Sequence, residues 1–331
     1  MLDKTRGIYL RIANFLFKWR SFSCFRLIQY VFMFSSVPML AYGIKTYDLQ
    51  ILTTILFTIL ALFSGFFATL LWNDITDVDI DVIAHPDRPL PARRIGVKKM
   101  FAIALVFSAT TFLFSLLVSV WCLFLAGMAA LFVTFHNKYL KKFIKFPAYS
   151  EIFTPIQWVV VPIFGYLAIW TTFPSTGAFM ATLPLLGYIS FDYSGFLNMI
   201  ILVLFTYFAD NAHDLPEGIH DVEGDLKLGV STYATSFGEK NAARISFIMF
   251  FVSGILGIIL YLRTVLTPVF LVPFLILWLY ALYHSYNLLK ADEKEMRDLS
   301  KMVGQKTFRY FWLSYDLIFL DVLIQVLIYN I

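Results

Sequence analysis

The chain has 331 residues, 60% of them hydrophobic and only 15% charged, with a formal charge of +4 and two cysteines. Soluble domains are about half apolar and a quarter charged, so this balance, with a mean hydropathy of +0.75, excludes an ordinary soluble enzyme and gives no basis for nucleic-acid binding. Cys24 and Cys122 both lie in apolar stretches, which excludes a disulfide framework and a zinc-ligand spacing.

Residues 1–22 are basic and amphipathic and read as an interfacial helix leading into the first span. A membrane helix needs about 20 largely apolar residues. Nine stretches qualify in chain order: 24–43, 49–72, 99–118, 119–136, 148–171, 193–210, 243–262, 265–289 and 308–330. The segment 172–192 is apolar but broken by Pro174, Gly177, Pro184 and Gly187, and reads as a loop or a re-entrant piece. The expected fold class is an all-α polytopic membrane protein, a single transmembrane domain over 1–331. Cytoplasmic Asp-rich loops are expected at 73–98 and 210–240. Every Lys and Arg except Lys45 and Arg263 falls on one side of this topology. The positive-inside rule makes that side cytoplasmic, together with the N-terminus.

The second span ends in LLWNDITDVDIDVIAHPDRPLP. At about 100° per residue, Asp74, Asp77 and Asp81 share one helical face, Asn73 stacks near Asp77, and Asp79 points away. Carboxylates crowded on one face repel unless a cation sits among them. Mg²⁺ takes one or two carboxylates plus phosphate oxygens, so the pattern points to a Mg²⁺-complexed diphosphate. An EF-hand is excluded, because Val82 stands in place of the turn glycine and Arg88 in place of the bidentate glutamate. The plain alternative is a solvated polar loop, but acids directly at a membrane boundary are costly and usually functional. The sixth span ends in TYFADNAHDLPEGIHDVEGDLKLG. Glu217, Asp221 and Asp225 line one stripe there and Glu223 points elsewhere. Asp210 and Asp214 precede Pro216, which makes their helical phase less secure. The same succession of apolar span and acidic loop occurs twice and hints at a duplicated helical unit.

Together these residues resemble the UbiA-type superfamily of intramembrane prenyltransferases. Asn73, Asp74, Asp77 and Asp81 match its first signature. Arg88-Pro89 matches the stretch that follows, with His85 in place of the common Asn. Asp221-Val-Glu-Gly-Asp225, with Gly229 and Gly238 after it, matches the second. The resemblance implies nine helices around a central cavity open sideways to lipid, and two Asp motifs facing each other across Mg²⁺ and a prenyl diphosphate. The metal ligands would come from Asp74, Asp77, Asp81, Glu217, Asp221 and Asp225, with Asp74, Asp77, Asp221 and Asp225 essential to catalysis. Asn73, Arg88 and a lysine from the 136–142 segment would hold the diphosphate. Lys141 is the first candidate, with Lys138 and Lys142 as rivals. The sequence departs from the pattern at Glu217-Gly218, where many relatives carry Lys-Asp, at Arg26, which no proline follows, and at Ser231-Thr232-Tyr233.

The expected reaction is prenyl transfer to a lipophilic or aromatic acceptor within the membrane. The allylic C–O bond breaks, cations neutralise the leaving group, and the acceptor intercepts the carbocation in a site that excludes water. A terpene cyclase on the same scaffold is the alternative enzyme. A cation-coupled transporter fits less well, because transporters place such charges near the midplane, and here the mid-span acids are only Glu151, Asp316 and Asp321.

Overall fold

Apolar helices do not associate in lipid through the hydrophobic effect. Close contact and interhelical hydrogen bonds hold them together, and both govern this bundle. The computed structural model describes residues 23–84, 86–140, 144, 146–173, 179–184 and 187–329, with Ile80, Ile83, Ala84, Asn137, Lys138, Leu183, Leu228, Glu293 and Lys294 described by backbone alone. The 1–22 segment, His85, Lys141 and Lys142, and the Lys138 side chain lie outside the described residues.

The helices are α1 (Cys24–Tyr42), α2 (Leu49–Thr76), α3 (Val78–Ala84), α4 (Val97–Val118), α5 (Val120–Phe135), α6 (Tyr149–Phe153), α7 (Ile156–Thr172), α8 (Tyr193–His220), α9 (Val222–Leu228), α10 (Tyr233–Phe237), α11 (Glu239–Arg263), α12 (Pro268–Lys290) and α13 (Glu293–Tyr329). Among the described residues eight helical stretches are long and apolar enough to cross a membrane, and the 16-residue α5 is a shorter apolar helix beside them. The chain is therefore an all-α integral membrane protein.

Polar side chains set the helix starts. Asp48 accepts from the Gln50 and Ile51 amides and Asp192 from that of Gly195, satisfying donors that a helix N-terminus leaves free. Ser119, in an extended conformation, ends α4 and caps α5 through the Cys122 amide, so a single residue separates those two helices. The acid Asp321, inside α13, is structural. It accepts from the Thr267 amide at 2.6 Å, the Thr267 hydroxyl at 2.7 Å and the Gln325 amide at 3.1 Å, and so caps α12. Asp316 takes the Gln29 amide of α1 at 3.0 Å.

Three sequence expectations are corrected. The 172–192 segment is not an irregular loop in its described part. It forms an antiparallel hairpin, β1 (Phe179–Leu183) and β2 (Gly187–Phe191), with Phe179 opposite Phe191 and Leu183 opposite Gly187. Proline and glycine exclude a helix there, and strand pairing gives the backbone polar groups partners of their own. The second correction concerns 210–220, which is not loop. It stays helical to His220, with Pro216 inside α8. A proline deprives the carbonyl four residues earlier of its donor, and the Ser246 hydroxyl of α11 supplies one to Ala212 O at 2.7 Å. The third is that the last helix begins at Glu293, well before the apolar span.

Small residues bring helices together. A Cβ on Gly165 of α7 would lie 2.7 Å from Val37 Cβ and 3.1 Å from Pro38 Cδ of α1. Gly165→Val should therefore destabilise the protein by about 1–3 kcal/mol through overpacking. The expected readout is a lower Tm in detergent with the helical content of the folded state unchanged.

Candidate active site: two acidic helix ends and a cavity

The two signatures occupy equivalent places in a repeated unit. α2 and α8 are both 28 residues long, each is N-capped by an Asp, each ends at an Asp, and each is followed by a 7-residue helix. The terminating residues match in conformation: Asp77 has φ −101°, ψ 12° and Asp221 has φ −92°, ψ 4°. In this register Asn73 corresponds to Glu217, Asp74 to Gly218, Asp77 to Asp221, Asp79 to Glu223 and Asp81 to Asp225. The helix expected to run unbroken through these acids instead bends at Asp77, bridged by Asp81 N–H donating to Asp77 O at 2.8 Å.

Both units end at the same end of the bundle. α2 touches the widened helical turn His136–Leu140, and Thr76 at its end lines one cavity with Phe132, Val133 and Thr134 just before that turn. His136 Nδ1 lies 3.3 Å from the Tyr149 hydroxyl of α6, and Glu151, two residues on, abuts Gly218 near the end of α8.

Asp74 and Asp81 are nearly inaccessible, at 2% and 3% exposure. Arg88 gathers them: its Nη1 donates to both oxygens of Asp81 at 2.7 Å and stands 3.7 Å from Asp74 Oδ1. The turn carrying Arg88 is closed by Ala92 N–H to Arg88 O and Arg94 N–H to Pro89 O, both 2.9 Å, and is anchored by buried Leu90. Asp79 is exposed.

The second motif is more open. Glu217 and Asp221 are exposed and Asp225 is half-buried. Burial and neighbouring Asp221 push the Asp225 carboxyl up to about 6, a pressure that a bound cation would reverse. Glu223 pairs with Arg297, which also binds Glu239 at 2.7 Å and so ties α9 to α13 and α11. Deeper in α8 lies a polar group that the sequence pattern did not single out. His213 sits 3.2 Å from both Asp210 Oδ1 and Asp214 Oδ1, with the Phe308 ring 4.9 Å away. Asn211 is fully buried beside Tyr207 and Tyr233, and neither of its amide atoms makes a well-formed hydrogen bond. The available signal was a set of ionisable residues in an otherwise apolar span, obscured by Pro216.

Among the described residues no three His, Cys, Asp or Glu side chains form a ready-made metal cage. A cage is not what Mg²⁺ requires, since it retains waters and binds through one or two carboxylates plus phosphate oxygens. The donors at both helix ends are hard carboxylate oxygens, and among the described residues no Lys or Arg pairs with Asp214, Glu217, Asp221 or Asp225. That donor set fits Mg²⁺.

A cavity of about 670 Å³ opens below the first motif. It runs along α2 from Thr76 to Ala61, about 22 Å at 1.5 Å per residue. Its walls are α4, α5 and α7, including Leu105, Ala126 and Trp158. Leu105 and Met128 in this wall are about half exposed on the bundle surface.

The sequence profile of the UbiA prenyltransferase family matches residues 32–312. The chain belongs to the UbiA prenyltransferase family. This UbiA-family chain is 28% identical over 177 residues to the digeranylgeranylglyceryl phosphate synthase of Saccharolobus solfataricus, a match covering 54% of each chain. It thus spans about half the length of that curated relative. In fold it is similar to a UbiA homolog from Aeropyrum pernix, with TM-score 0.62 and 16% identity over 85% of this chain and 95% of the other. A UbiA homolog from Archaeoglobus fulgidus bound to GPP and Mg²⁺ matches with TM-score 0.51 and 14% identity, over 86% of this chain and 96% of the other.

Proposed function

We propose that the protein transfers a prenyl group from a prenyl diphosphate to a lipophilic acceptor within the membrane, with Mg²⁺ and the diphosphate held between the two acidic helix ends at the cytoplasmic face. The observation that carries this reading is the duplicated unit, two 28-residue helices ending at Asp77 and Asp221 with a short acidic helix after each. Asp77, Asp81, Asp221 and Asp225 would hold the cation, with Asp74 and Glu217 beside them. Arg88, already fixed against Asp74 and Asp81, is positioned to donate to diphosphate oxygens. Bound Mg²⁺ would neutralise charge on the diphosphate as the allylic C–O bond breaks. The electron pair leaves with the diphosphate, the acceptor's hydroxyl oxygen or ring carbon forms the new bond, and the acceptor loses a proton.

The apolar tail would lie in the cavity along α2. Phe66 and Trp158, 5.4 Å apart in its wall, present π faces that favour a nearby cation and help exclude water from it. The relative's name, and the GPP and Mg²⁺ bound by the Archaeoglobus homolog, support the donor class and make a glyceryl phosphate lipid the first acceptor to try, with an aromatic acceptor for comparison. The concentration of Lys and Arg on one side of the topology supports the cytoplasmic placement.

The test is incubation of the protein in nanodiscs with labelled prenyl diphosphates and an acceptor panel. Transfer is expected with Mg²⁺, is expected to fall to background with EDTA, and should return on Mg²⁺ addition. Turnover that ignores EDTA, or no product with any acceptor, would count against the reading. A cyclic hydrocarbon formed without acceptor would indicate the cyclase instead.

A further inference from the structure

Within the repeated unit one position is unequal. Asp74, whose carboxylate lies beside Arg88 in the first half, corresponds to Gly218 in the second. The space a side chain at 218 would enter is occupied: a Cβ there would overlap the carboxylate of Glu151, reaching across from α6. Glu151 is 8% exposed, and its Oε2 accepts from the Tyr233 amide. Among the described residues Oε1 accepts no hydrogen bond. Asp214 and Asp225 are its electrostatic neighbours, and no Lys or Arg among the described residues pairs with any of the three. Buried Asn211, with both amide atoms lacking a well-formed partner, lies on the same side beside Tyr233. The segment is fixed from several directions: Ser150 N–H donates to Ser231 O at 3.1 Å, Ala148 N–H to Ser236 Oγ at 2.8 Å, and the Tyr207 hydroxyl to Ile152 O at 3.1 Å.

A buried carboxylate with no Lys or Arg partner is costly, and Glu151 is held firmly in that position, with half-buried Asp214 and Asp225 as neighbours; of the three, Asp214 alone has a cationic neighbour among the described residues, His213 at 3.2 Å. Such an arrangement leaves a place for a cation. We propose that Glu151 supplies, from a different helix, the carboxylate that Gly218 cannot, and so completes the second half of the divalent-cation site. The inference rests on the Mg²⁺ reading above and adds a residue to it. It also accounts for Gly218: any side chain there would displace Glu151. The same pairing explains how this chain departs from the Lys-Asp pattern at 217–218 while keeping an acid at that point in space.

The test is Mn²⁺ affinity in the presence of inorganic pyrophosphate, read by EPR on the detergent-solubilised protein. Glu151→Gln keeps an oxygen to accept from Tyr233 N–H and removes the charge. It should weaken Mn²⁺ binding by about tenfold or more, while Tm without metal changes little. The pair Glu151→Ala with Gly218→Asp moves the carboxylate back to α8 and should restore affinity to within about threefold of the parent. Asp221→Asn is the reference. If it loses Mn²⁺ while Glu151→Gln binds as the parent does, the inference fails and the metal reading stands. If both bind as the parent does, the metal reading itself fails. A Glu151→Gln protein with lower Tm and parental affinity would make Glu151 a cap for α10 only. Should Glu151→Gln not fold, the paired variant decides: folding with parental affinity upholds the proposal, and folding with weak affinity overturns it.

Discussion

Asp77→Ala and Asp221→Ala should each reduce prenyl transfer by at least about 100-fold, the scale of losing one preorganised charge-stabilising group at a reacting centre. Both residues end a long helix through their backbone, Asp77 N–H to Asn73 O at 2.9 Å and Asp221 N–H to Glu217 O at 3.1 Å. Alanine retains those bonds, so the loss should appear in turnover and Mg²⁺ dependence rather than in expression or Tm. Asp79→Ala is the matched control. Asp79 lies two residues from Asp77 but is exposed, and removing an exposed charge of this kind is worth about 0.5 kcal/mol or less. Its turnover should stay within about twofold of the parent. Equal rates in all three variants, at matched expression, would remove the acidic helix ends from the mechanism.

Filling the cavity should change which donors are used. Ala126 of α5 is buried in the cavity wall, about 15 Å along the helix from the widened turn that starts at His136. Ala126→Trp should lower kcat/KM for long prenyl diphosphates by about tenfold or more relative to short ones, because the discrimination rests on lost apolar burial of several carbons. Leu131, on the same helix but 57% exposed, is the control, and Leu131→Trp should leave the ratio unchanged. A parallel loss for all chain lengths would indicate general distortion of α5 rather than a tail site.

The duplicated unit also accounts for the family departure at 217–218. A helix end that needs an acid at a given point can take it from its own residue, as α2 does with Asp74, or from a neighbour, as α8 does with Glu151. Sequence motifs register only the first arrangement. In a linear reading Glu151 is one acid in an apolar span, alongside Asp316 and Asp321. The structure separates them, since Asp321 caps α12 and Asp316 holds Gln29, while Glu151 faces the second motif.

What the sequence by itself determined was whatever depends on local composition and period. Runs of apolar residues specify membrane helices, because no backbone in lipid can leave its polar groups unpaired. The acids following the second and sixth spans mark the two helix ends, and the repeated pattern hints at their kinship. The tertiary structure decided what depends on partners distant in sequence. Ser246 donates to the carbonyl that Pro216 leaves bare, and so α8 continues through Asp214 and Glu217. Arg88 folds back onto Asp74 and Asp81, and Glu151 fills the space above Gly218. Each of these is a contact between groups whose chemistry was visible but whose separation was not, because proximity is set by helix packing and not by spacing along the chain.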